Sequence, residues 1–267
     1  MTRPPPDLRR SDPAPARLAA RLLRIGVVSA VILGIWQVLV MVLDVPAYIL
    51  PPPSRIAEAL VAQPEFLARN ALVTGTEIVL GLIVGTALGM STALTASLFP
   101  AAGRVMLPVM VASQALPVFA IAPLLVIWLG FGLASKIVMA TLIIFFPVAS
   151  SFLDGLRRTD PGLLDLAAIS GAGRFNTLAL IRFPFALPGL ASGLRVAAAV
   201  APIGAVVGEW VGASAGLGFV MLQANARVQT DVLFAALFLL ALMALLIRAL
   251  IDALARRMVP WIAETET

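Results

Sequence analysis

The chain has 267 residues, 61% hydrophobic and only 12% charged. Soluble domains run at roughly 45–50% apolar and about 25% charged, so this is an integral membrane protein with little left over for a soluble domain. Cysteine and histidine are absent. That excludes disulfides, thiol nucleophiles, Ser-His-Asp and Cys-His catalysis, and most transition-metal sites. The net charge of +5 comes almost wholly from arginine, and in a membrane protein it reports orientation before it suggests nucleic acid. Lys136 is the single lysine and Ile137 follows it. A phosphate loop needs Gly-Lys-Ser/Thr, so any ATP and Mg that drive this protein sit on another subunit, and no cofactor is expected in this chain.

Residues 1–24 carry three consecutive prolines, Pro4-Pro5-Pro6, and six arginines. They read as a basic cytosolic tail, helical from about residue 17. The apolar run that follows, 25–43, is too long for a signal peptide and lacks a cleavage site. About twenty apolar residues span a bilayer, so 25–43 is the first predicted span. Leu50-Pro51-Pro52-Pro53-Ser54 is an extended stop, and Ser54 is placed to cap a short helix over 55–62. The second span, 71–99, contains Gly81, Gly85 and Gly89, a ridge that lets another helix approach closely, within the subunit or across a dimer seam. The third run, 105–129, is interrupted by Pro108, Pro117 and Pro123, each of which removes a backbone donor and bends a helix. The fourth span is 133–153, the fifth 187–211 and the sixth 232–251. Residues 212–230, with Gly216-Leu217-Gly218, read as a Gly-rich turn. The membrane-spanning domain is thus 25–255, and 256–267 is a second cytosolic tail.

Six spans put both termini on one side. With the termini in the cytosol, all but four of the nineteen Lys and Arg face inward, the exceptions being Arg55, Arg69, Lys136 and Arg227. This bias sets orientation. It leaves the stretch between the fourth and fifth spans, 160–184, in the cytosol. There Asp165 to Gly173 reads as a short helix, with Asp165 near its positive end and Gly171 and Gly173 turning the chain. Small residues at 167, 168 and 170–173 leave little side-chain bulk on it, suited to another protein's groove.

The spacing of that stretch resembles the signature of inner-membrane permeases of ABC importers: Glu-Ala-Ala, three residues, Gly, nine residues, Ile, one residue, Leu-Pro. Asp165 takes the Glu place, Leu166 and Ala167 the two Ala places, Gly171 the Gly place, Ile181 the Ile place, Phe183 the Leu place and Pro184 the last. Asp165, Leu166 and Phe183 depart in type, while the spacing holds without a gap. Gln114-Ala115-Leu116-Pro117, Trp128-Leu129-Gly130-Phe131-Gly132, Phe145-Phe146-Pro147 and Gly216-Leu217-Gly218 resemble the group serving sulfonates, taurine, nitrate and thiamine precursors. Phe119-Ala120-Ile121-Ala122-Pro123, the run from Asp154 to Pro161 and the run from Ala198 to Trp210 look most like permeases for hydroxymethylpyrimidine, a thiamine precursor.

The resemblance implies an all-α polytopic permease of the type I ABC importer fold with six transmembrane helices. It also implies a homodimer, two ATP-binding subunits and a periplasmic binding protein that selects the solute. Asp165, Ala167, Gly171, Ile181 and Pro184 would couple to the ATPase. The chain itself would not be an enzyme.

Three residues are candidates for the translocation path. Gln114 is a polar group at mid-membrane with Pro117 three residues on; it either lines the route or hydrogen-bonds a neighbouring helix. Glu209 sits near the outer end of the fifth span beside Trp210, either as an interfacial anchor reaching water or as a charge at the outer gate. Arg195 is fourteen residues earlier, about 21 Å along a helix at 1.5 Å per residue, so the two cannot pair within it. An ion-coupled secondary transporter is the rival reading; such proteins usually need intramembrane relay groups, and here Glu77, Arg195 and Glu209 fall in spans, all toward the ends.

Overall fold

The computed structural model describes residues 14–261, and no strand occurs among them. The first thirteen residues of the predicted basic tail, and residues 262–267 of the second tail, lie outside the described residues. In order the helices are α1 (Ala14–Val42), α2 (Pro53–Ala62), α3 (Pro64–Leu98), α4 (Pro100–Ala115), α5 (Val118–Leu129), α6 (Leu133–Arg157), α7 (Pro161–Ile169) and α8 (Arg174–Thr177). A π-helical turn, Leu178–Arg182, leads into α9 (Phe183–Gly212), followed by α10 (Leu217–Ala226) and α11 (Thr230–Met258).

The core is a three-helix stack with α6 between α3 and α9. Helix association in lipid rests on close van der Waals contact, because lipid is as apolar as the helices. Small residues therefore decide where backbones meet. The ridge of Gly81, Gly85 and Gly89 is used inside the subunit: a Cβ on Gly85 would lie 2.7 Å from Ile144 Cγ2 of α6. On the other side of α6, a Cβ on Gly204 of α9 would lie 2.8 Å from the Ala140 Cα. Between these seams pack Ile78, Leu82, Ile144, Val148, Phe152 and Leu190, all buried. Phe152 meets Phe183 edge-on, ring centroids 5.7 Å apart, a geometry worth about 0.5–1.5 kcal/mol beyond area burial. Arg195 of α9 pairs with Asp252 of α11 at 2.9 Å, and Arg248 holds the other Asp252 oxygen at 3.0 Å.

Three local expectations change. Ser54 does not cap α2, which starts at Pro53 and has no side-chain cap. Instead Gln37 of α1 bonds Ser54, accepting its backbone N–H at 3.2 Å and donating to its hydroxyl at 3.4 Å. The run 105–129 is not one helix: α4 and α5 meet at 100°. Pro108 and Pro123 stay inside helices while Pro117 breaks the chain, because a proline drives its preceding residue out of the helical region and Leu116 is extended at φ −79°, ψ 117°. The connection 212–230 holds the ten-residue helix α10.

By length and apolarity α3, α6, the continuous helix Arg174–Gly212 and α11 can each cross a membrane, and the bent pair raises the total to five among the described residues. Six spans are predicted from the sequence; the remaining one is α1, whose described apolar part, Gly26–Val42, is shorter. α11 also runs past the predicted boundary at 251 to Met258.

Candidate functional site

The stretch with the permease-like spacing is built at one end of the stack. α7 begins four residues earlier than predicted, because Asp160 caps it by accepting the Gly162 N–H at 2.7 Å and Pro161 occupies the first turn, where a missing N–H costs nothing. Asp165 is therefore mid-helix rather than at the start, and exposed. The helix stops at Ile169, not at Gly173. Ala167 turns inward and is buried, while Leu166 and Ile169 are 60% and 86% exposed. Gly171 follows at φ +69°, with nothing within 4 Å of a Cβ placed there. An L side chain is strained in that conformation, and Gly is not.

Ile181 lies in the π-turn and Pro184 in the first turn of α9. Pro184 has no N–H for the Leu180 carbonyl and its ring crowds that turn. Widening to π geometry relieves the crowding inside one continuous 39-residue helix. The turn is seated on the core through buried Leu178, and Arg182 Nη1 donates to Ser97 Oγ of α3 at 3.4 Å.

Gln114 is the second-last residue of α4 and Pro117 stands just before α5, both exposed beside the 100° bend. Neither meets the α7 stretch or Glu209, so the predicted residues fall into three separate places.

Glu209 lies at the opposite end of α9 from α7 and is 1% exposed. Its Oε1 accepts the Thr74 hydroxyl at 2.5 Å, and its Oε2 accepts the backbone N–H of Gly218 at 2.5 Å and of Phe219 at 3.3 Å. Those N–H groups open α10, so a carboxylate sits where a helix N-terminus favours negative charge. Thr74 also accepts the Leu217 N–H at 2.7 Å, and Asn70 Oδ1 accepts that of Gly216 at 2.8 Å. Four orphan donors of one helix start are thus met by side chains of α3 and α9. Gly216, at φ +111°, lies against the Glu209 carboxyl, where a Cβ would collide with it. Lys136, in the first turn of α6 and 2% exposed, donates to the Phe131 carbonyl at 2.5 Å and to the Gly212 carbonyl that ends α9. Glu77 of α3 is 3% exposed and lies three residues along the helix from Thr74.

Residues 73–264 match the family described as the binding-protein-dependent transport system inner membrane component. The chain belongs to that family. A probable ABC transporter permease protein of Haemophilus influenzae is 48% identical, over 90% of this chain and 98% of its own. The formylaminopyrimidine transport permease protein ThiX of Halalkalibacterium halodurans is 33% identical over 85% and 91%. The taurine transport system permease protein TauC of Escherichia coli is 32% identical over 91% and 91%. Among solved structures, the inward-facing MetNI methionine ABC transporter matches with a TM-score of 0.64 at 20% identity, covering 72% of this chain and 96% of that one, which fixes the type I importer permease fold. The permease is accordingly a multi-pass inner-membrane protein of an ABC importer. It works with a binding protein, and ATP is hydrolysed by a separate subunit.

The permease's polar cluster around Glu209 was not assembled from sequence. Lys136 counts there as an external loop charge, yet it is buried. One signal was available: Asn70, Thr74, Glu77, Gly81, Gly85 and Gly89 recur at three and four, and all six are buried on one face of α3.

Proposed function

We propose that two copies of this permease form the membrane channel of an importer with two ATP-binding subunits, both chain termini lying in the cytosol. Residues 160–184 dock on the ATPase as the coupling segment, with Asp165, Ala167, Gly171, Ile181 and Pro184 in that role. The observation that supports the docking reading most directly is the exposure of Leu166 and Ile169 on α7 just before the left-handed turn at Gly171. Large apolar side chains held at the end of the bundle suit a partner's groove better than water. ATP and Mg, on the partner, close the ATPases and draw both coupling segments inward. The bundle then opens to the loaded binding protein, and hydrolysis resets it, with ATP biasing a two-state equilibrium. Gln114 and Pro117, exposed at the bend, line the solute's route. Glu209 is sealed off in this conformation, so its part is to hold the outer end together rather than to touch solute.

The solute is a pyrimidine precursor of thiamine. This rests on the three stretches that look most like hydroxymethylpyrimidine permeases and on the similarity to ThiX. Taurine or another sulfonate is the alternative, favoured by the almost equal identity to TauC. Uptake of labelled hydroxymethylpyrimidine in cells that depend on this permease, competed by excess taurine, decides between them. Competition by unlabelled pyrimidine but not taurine is expected; the reverse pattern would move the assignment to sulfonates. Uptake that survives ATP depletion with the proton gradient held would sink the ATP-driven reading altogether.

A further inference from the structure

A cavity of about 280 Å³ lies at the α7 end of the bundle, where Ser97 and Leu98 close α3 and the continuous helix Arg174–Gly212 begins. Two guanidinium groups, those of Arg174 and Arg182, line it, and no carboxylate does. Further along the same helix Arg195 shares Asp252 with Arg248. Arg174 and Arg182 have no such partner among the described residues. Arginine is never deprotonated in proteins, so the cavity keeps its positive charge.

Its hydrogen-bond donors outnumber its acceptors. Arg182 is half-buried, and its Nη1 donates to Ser97 Oγ at 3.4 Å, a long hydrogen bond. Its Nε is buried and has no acceptor. A buried donor left unmet is costly and rare. With Nη2, that Nε forms the edge by which a guanidinium grips two oxygens of one anion. The Ser97 hydroxyl accepts from Arg182, and its own proton has no acceptor among the described residues. Arg174 is exposed on the same cavity. The matching ligand is an anion with several acceptor oxygens.

The surroundings narrow the choice. Leu98 and Leu178 share the lining with the arginines. Their neighbours Phe99 and Leu180 are large, apolar and 52% and 75% exposed. A cationic cavity with an apolar flank, at the place where a membrane span ends, suits an amphipathic anion. A free soluble anion has no use for the flank. Basic pockets between membrane helices bind anionic headgroups in this way.

We propose that this cavity binds the phosphate group of an anionic phospholipid. Arg182 and Ser97 hold phosphate oxygens from within, Arg174 adds a second cation, and the acyl chains run along Phe99 and Leu180. The lipid ties the end of α3 to the π-helical turn that follows α8. Only the choice of the cytosolic leaflet rests on the orientation proposed above.

The test uses the full-length permease alone in detergent, without ATP-binding subunit or solute, so its outcome is independent of the coupling and substrate readings. Melting temperature is followed while phosphatidylglycerol, phosphatidylcholine or inorganic phosphate is titrated in, and native mass spectrometry counts the lipids that stay bound. Phosphatidylglycerol should raise the melting temperature and stay bound. Phosphatidylcholine, whose ammonium adds a cation beside two others, should need about tenfold more for the same effect, the worth of one charge-assisted hydrogen bond. Arg182→Lys keeps the charge but loses the two-pronged edge, and Arg174→Gln removes an exposed cation without touching the core. Each should weaken phosphatidylglycerol by about tenfold on the same scale. Arg104→Gln should leave it unchanged, because Arg104 of α4 is exposed and does not line the cavity. No stabilisation by phosphatidylglycerol, or an equal response to phosphatidylcholine, overturns the proposal. Equal weakening in Arg104→Gln and Arg174→Gln overturns it in favour of diffuse surface charge. Equal protection by inorganic phosphate overturns the lipid assignment in favour of a soluble anion.

Discussion

The two ends of α9 solve opposite problems. At one end, α7 and the Gly171 turn leave Leu166 and Ile169 exposed and few polar groups committed. At the other, Glu209, Lys136, Thr74 and Asn70 are sealed and mutually satisfied. The open end leaves apolar side chains free to make further contacts. A corner that must hold without water closes every bond it can, because an unmet polar group in a dry site costs about 1–3 kcal/mol and a lone charge more. Mutations should therefore separate the ends: the sealed corner should fail in folding, and the open end in transport.

The largest effect is expected from Lys136→Met. It removes the buried ammonium and leaves the Gly212 and Phe131 carbonyls unpaired. Removing one partner of a buried charged set typically costs about 3–5 kcal/mol. The permease should be lost from the membrane or run as aggregate in size-exclusion chromatography; a monodisperse, wild-type yield would contradict the sealed-corner description.

Gly171→Glu should abolish uptake and co-purification of the ATP-binding subunit while leaving membrane level near normal. The φ of +69° penalises a non-Gly residue by roughly 1–2 kcal/mol, and its Cβ meets open space, so the fold survives. Normal recovery of the ATPase together with normal uptake would remove the docking role from this segment.

Thr74→Val keeps the shape but deletes both the donor to Glu209 and the acceptor for the Leu217 N–H. A loss of about 1–3 kcal/mol is expected, read as a lower melting temperature with transport retained in the surviving protein. If melting is unchanged, Thr74 is not part of what holds α10.

Gln114→Leu should alter stability least, below about 1 kcal/mol even if a helix–helix bond is lost. Its readout is uptake at unchanged protein level, which falls if Gln114 lines the route. Undiminished uptake would leave it a polar residue beside the bend without a transport role.

How far the sequence reached differs between these regions for a definable reason. The α7 stretch is local: its spacing, the Gly at 171 and the Pro at 184 stand within twenty residues, and each acts through its own backbone. Even there, the helix start moved to Pro161 because the Asp160 cap and Pro161 outweigh the small-residue run that suggested residues 165–173. The break at Pro117 was visible as a proline, but so were Pro108 and Pro123. Only the packed structure distinguishes which of the three bends the chain.

By itself the sequence determined that the chain lies in a membrane, that it holds no phosphate loop, which stretches are long and apolar, and where the permease-like spacing falls. All of these follow from composition and from residues near one another in the chain. Tertiary structure alone decided that Gly81, Gly85 and Gly89 seat α6, that residues 217–226 are helical, and that Lys136 is buried against Gly212. Those outcomes depend on partners far away in sequence. The start of α10 is helical because Asn70 and Thr74, more than 140 positions earlier, supply the hydrogen bonds that its own Gly-rich stretch cannot.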